Sequence, residues 1–137
     1  MASELKVDKI TGVATAGSID VTGEGNSTTT NLQQGLAKVW VFYDQSSGTG
    51  SVEDSLNVSS ADDDGTGKQG INFANFMGNA VYSVTGFNED GTGENDAIGI
   101  HKDDGQTRSA SEFNYLCMSG SSKNEGKSSL QVFGDLA

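Results

Sequence analysis

KVWVFYD, residues 38–44, is aliphatic or aromatic at every position between its charged ends. β-Branched and aromatic side chains fit an extended, pleated backbone. At a strand's period of two, Val39, Val41 and Tyr43 share one face and Trp40 and Phe42 the other. Apolar residues on both faces predict burial on both sides, in a sandwich or against a neighbouring subunit. Outward from this strand, further short strands are predicted at 54–59 (DSLNVS), 70–74 (GINFA), 80–87 (AVYSVTGF), 97–102 (AIGIHK), 111–118 (SEFNYLCM) and 130–133 (LQVF). Turn signals separate them roughly every ten residues, the pattern of an all-β antiparallel sandwich or barrel. Gly-Thr-Gly recurs at Gly48–Gly50, Gly65–Gly67 and Gly91–Gly93, the last two after Asp. These read as hairpin turns, since Asp-Gly suits the twist of short hairpin loops.

The residues before this strand read differently. Between Glu4 and Thr22, Leu5 and Val7 alternate, followed by Val13 and then Ile19 and Val21, which predicts two short strands. Residues 23–30 (GEGNSTTT) are small and polar, as in a linker, and their threonines are placed to cap a short helix over 31–37. The division expected is an extended N-terminal arm, residues 1–35, and a sandwich-like head, residues 36–137.

With 137 residues, 34 % of them hydrophobic, 19 glycines and no proline, the chain suits one thin-cored domain with many turns made by Gly, Asn, Asp and Ser. Glycine gives up much backbone freedom on folding and buries no side chain. One Cys and one His exclude disulfides and a four-ligand zinc site, so self-association is the expected reinforcement. The net charge of −11 and the single Arg argue against nucleic acid, which needs clustered cations. No apolar run reaches the ~20 residues of a membrane span. The N-terminus Met-Ala-Ser-Glu lacks a signal peptide's basic and apolar regions, so synthesis and initial residence in the cytoplasm are expected.

For chemistry, oxygen-bearing residues followed by Gly invite a calcium reading at 62–67 and 88–93, with Asp62, Asp64 and Asp90 as candidate ligands. The twelfth positions of those loops are Phe73 and Gly99 rather than Glu, and strands flank them, so solvated acidic turns are the expected reading and no cofactor is predicted. His101 and Cys117 are a candidate base and nucleophile, but nothing near Cys117 in sequence would lower its pKa, and a buried small hydrophobe is the expected role. The expectation is therefore a protein that is not an enzyme. A carbohydrate site would need exposed aromatics beside polar groups, for which Tyr43 and Tyr115 are the candidates.

SELKVDKI (3–10) with TAGSI (15–19), and NSTTTNLQQGLAKVW (26–40), resemble the opening of small virion structural and fibre proteins of marine tailed phages, especially those infecting cyanobacteria. DSLNVSS (54–60), DGTG (64–67) and INF (71–73) are similar to a signature of the same proteins, which they depart from at Asp62-Asp63-Asp64. The resemblance covers roughly the first 85 residues. It implies a β-rich, trimeric virion component, on head or tail, made in the host cytoplasm, and it carries no catalytic or ligand residue. The expected function is a surface appendage subunit: a head decoration, a short head fibre or a tail-fibre component that self-associates and docks on another virion protein. The alternative is a carbohydrate- or receptor-binding module directed at a host surface glycan. Leu5, Val7, Ile10, Ile19, Val21, Leu32, Leu36 and Trp40 are the candidate interface residues.

Overall fold

In a computed structural model of the chain, the described residues are 4–12, 19–23, 29–89, 96–99, 108–119 and 122–136. They divide into two compact units, Met1–Leu36 and Ala37–Ala137.

The first unit holds strands β1 (Asp20–Thr22) and β2 (Thr29–Asn31), an antiparallel hairpin with Val21 opposite Thr30, and one helical turn, α1 (Leu32–Gly35). Leu32 N–H donates to Ile19 O at 2.8 Å, extending the hairpin by one rung. Residues 4–12 form no strand, contrary to the expectation from the Leu5/Val7 alternation. Alternation prepares one face of a strand, but only a hydrogen-bonded neighbour makes one. The helix is also shorter than 31–37, as befits a seven-residue candidate containing Gly35.

The second unit is an antiparallel β-sandwich. One sheet has the order β4 (Ser51–Leu56), β3 (Val39–Asp44), β11 (Lys127–Phe133), β7 (Ser83–Glu89). In the other, β5 (Val58–Asp63) pairs with β6 (Lys68–Phe73) and β6 with β9 (Glu112–Ser119), which also pairs with β8 (Asp96–Gly99) and β10 (Ser122–Lys123). Alternate residues of the central strands meet in one core: Val39, Val41 and Tyr43 from β3, Leu130 and Val132 from β11, Ile71 and Phe73 from β6, and Phe113, Tyr115 and Cys117 from β9. Met77 and Tyr82 close one end of it.

The run 54–59, expected as a single strand, is two strands in two sheets. Asn57 breaks it with φ of 60°, a left-handed conformation that Asn tolerates better than most residues. Its side chain fastens the corner to the end of β6: Oδ1 accepts from Asn75 N–H at 2.6 Å, and Nδ2 donates to Asn75 O at 3.0 Å. The Gly-Thr-Gly segments at 48–50 and 65–67 join strands that pair with each other, as hairpin turns do. At Gly67, with φ of +65°, a Cβ would lie 2.8 Å from Cys117 O, so no side chain fits.

Candidate functional site

Three regions of the head carry groups that a folded core does not require. The first is the acidic end of the sandwich. On β5, Ala61 and Asp63 follow the inward side while Asp62 lies opposite Gly70. Asp63 Oδ1 accepts from Gln45 Nε2 at 2.7 Å, Gln69 Nε2 donates to Gln45 Oε1, and Gln69 Oε1 faces Cys117 Sγ and Ser128 Oγ, both at 3.4 Å. Cys117 Sγ and Ser128 Oγ are 3.1 Å apart. Gln45, Gln69, Ser128 and Cys117 are all buried, so amide and hydroxyl groups here replace the aliphatic contacts made further along the same strands. Burial pushes the Tyr115 hydroxyl well above the usual tyrosine range, the neighbouring Ser128 hydroxyl opposing the rise only in part. Among the described residues, neither the Tyr115 oxygen nor Asn88 Nδ2 makes a well-formed hydrogen bond. Tyr43 reaches the same end, its hydroxyl raised by burial and then by Asp63, Asp62 and Asp64.

That geometry bears on the residues singled out for chemistry. Asp62 Oδ2 accepts from Asn72 Nδ2 at 2.6 Å, and Asp63 serves Gln45 and the turn amide of Gly65. Among the described residues, no three of His, Cys, Asp and Glu gather as a metal site would require; Asp90 and His101 lie outside the described residues. Cys117 is fully buried in the core, as a small hydrophobe would be, and its sulfur also meets the polar groups of Ser128 and Gln69. Tyr43 and Tyr115 are corrections: each is 1 % exposed, so neither can stack on a sugar. Sequence could not choose between the two apolar faces of β3, and the core took Tyr43.

The second region is the outer face of the β4–β3–β11–β7 sheet. Registers place Leu56, Trp40, Gln131 and Thr85 in one row across it, and Asp54, Phe42, Ser129 and Phe87 in the next. Trp40 and Phe42 are half-buried, while Leu56 and Phe87 are 47 % and 55 % exposed. A third row runs through Asp44, Lys127 and Glu89, with Lys127 Nζ 3.0 Å from Asp44. Hydrogen bonds from Ser46 and this ion pair lower the Asp44 carboxyl to about 2. Phe87 was legible as a strand aromatic, but its row depends on the β11–β7 pairing.

The third region is the opposite end, where the chain enters the head at Lys38, whose N–H donates to Val132 O at 2.8 Å. Phe76, Val81 and Leu136 are exposed there, beside the Met77–Leu136 bridge. Tyr82 anchors this end by donating to Glu112 O at 2.9 Å, while Arg108 lies over its ring at 4.8 Å and donates to Tyr82 O. Burial raises the Tyr82 hydroxyl to about 12.

In the N-terminal unit, Leu5, Val7, Ile10, Val21 and Leu36 are exposed, and Ile19 and Leu32 are half-buried. Comparison with protein-family models, curated proteins and solved structures gives no match.

Proposed function

We propose that the protein is a non-enzymatic structural subunit of a bacteriophage particle, a surface appendage whose N-terminal unit packs against copies of itself and against a virion protein. The observation that carries this reading is the state of residues 1–36, where no described residue is buried although Leu5, Val7, Ile10, Val21 and Leu36 are large and apolar. A two-stranded hairpin of three residues a side with one helical turn has too little to bury for independent stability. Such a segment gains order when its apolar positions and strand edges meet another chain. A homotrimer on the head or tail surface fits this need, and the strongly acidic surface fits a subunit kept soluble until assembly.

Light scattering coupled to size-exclusion chromatography tests the reading. The full chain is expected at the mass of three copies, unchanged by a calcium chelator. Leu5→Asp with Val7→Asp is expected to give single chains with an unchanged head, as is removal of residues 1–30. A monomeric full chain, or normal incorporation of the truncated protein into particles, overturns the proposal.

A further inference from the structure

Independently of assembly through the arm, we infer that the outer face of the β4–β3–β11–β7 sheet is a binding site for a neutral polysaccharide. The registers fix the argument. Ser129 pairs with Phe42 on one side and with Phe87 on the other, so two aromatic side chains stand on either side of a small hydroxyl residue. Strands ~4.8 Å apart put the two ring-bearing positions roughly 10 Å from each other, with Ser129 between them. Trp40, two residues from Phe42 on the same strand, lies roughly 7 Å further along it. Gln131 and Thr85 lie beside it.

Pyranose rings present C–H faces to aromatic rings and hydroxyls at their edges, and this surface alternates the two complements at the spacing of the pleat. Around Trp40, Phe42 and Phe87 stand the hydroxyls of Ser129 and Thr85, the amide of Gln131 and the carboxylate of Asp54. A wholly apolar partner would strip water from those polar groups without replacing their hydrogen bonds, which is costly. The charge selects further. Asp54, Asp44 and Glu89 border the rows, and the Lys127 ammonium is engaged by Asp44 at 3.0 Å. A sulfated or uronic polymer is therefore repelled, while carboxylates and amides accept hydrogen bonds from neutral hydroxyls.

Trp40 is the chain's single tryptophan, so its emission reports directly on this face. The full-length protein is titrated with hexasaccharides of α-glucan, β-glucan, mannan, galactan and chitin, and with hexagalacturonate as the anionic comparison. A saturable shift in Trp40 emission with at least one neutral hexamer, and none with the anionic one, is expected. Phe87→Ala and Gln131→Ala should each weaken binding tenfold or more, with assembly mass and circular dichroism unchanged. Silence across the neutral hexamers, or binding that survives both substitutions, overturns the proposal. So does a lower assembly mass in Phe87→Ala, which would identify the face as a contact between copies; the trimer test on Leu5 and Val7 stands apart from either result.

Discussion

At one end of the sandwich, β3, β11 and β6 bring together Val39, Val132 and Phe73, closed by Met77 and Tyr82; at the other, the same strands with β9 bring together Tyr43, Ser128, Gln69 and Cys117. The backbone ladders run through both, so pairing does not distinguish them. What differs is how each end keeps water out. The apolar end gains from area removed from water and from close contact, as in the edge-to-face meeting of Phe73 and Tyr82 at 5.8 Å. The polar end buries Tyr43 and Tyr115 as well, but its order depends in addition on the hydrogen bonds that link Asp63, Gln45, Gln69 and Ser128. The Asp62–Asp64 loop lies at the polar end, where Asp63 holds both Gln45 and the turn amide of Gly65.

The broadest challenge to this contrast is alkaline, because Tyr82 belongs to the apolar end, Tyr43 and Tyr115 to the polar end, and all three hydroxyls are raised, burial being the first cause in each. A raised folded-state value means that stability is whole below the unfolded tyrosine value near 10 and is lost as pH climbs towards 12. Tyrosinate absorbance should therefore stay flat through the ordinary tyrosine range and then rise together with loss of circular dichroism. A normal titration in the folded protein would place a tyrosine outside the core.

Next in size is Phe73→Ala. Removal of a fully buried aromatic from the apolar end is expected to cost about 3–5 kcal/mol in denaturant unfolding. A cost below about 1 kcal/mol would show that this end is not close-packed.

Gln69→Leu addresses the polar end. It leaves Gln45 and Ser128 short of a partner and is expected to cost about 1–3 kcal/mol. Gln45→Leu combined with it should cost less than the two singles added together, because the second change removes a group that the first left unpaired. Strict additivity would mean that the amides do not act as a unit.

The smallest effect is expected at Asp44, on the outer face. Its lowered carboxyl, at about 2, contributes stability that is present above pH 4 and is lost as pH falls towards 2. In Asp44→Asn, the melting temperature should lose this shallow acid limb and little else. An acid limb that persists unchanged would assign it to other carboxylates.

Particular residues show how far the sequence could be read. The alternation in KVWVFYD placed Val39, Val41 and Tyr43 on one face and Trp40 and Phe42 on the other, and both sets lie as that period requires. Strands near 70–74, 80–87, 111–118 and 130–133 were visible from β-branched and aromatic runs, with ends shifted by a few residues. The corner at Asn57 was not visible, because a left-handed Asn leaves no mark in a hydropathy pattern and no glycine announced it. Nor was the polar cluster, since Gln45, Gln69, Cys117 and Ser128 are far apart in the chain and belong to different elements.

By itself, the sequence determined the β class, the turn-rich economy of a chain with 19 glycines and no proline, and the strongly negative net charge. These are local or summed properties, fixed by propensity, composition and charge. Tertiary structure alone decided which face of each strand was buried, that Tyr43 and Tyr115 went inward while Phe87 and Leu56 stayed out, and that Ser129 came to lie between Phe42 and Phe87. A period of two says that neighbours point opposite ways; only pairing with strands from elsewhere in the chain says which way is in.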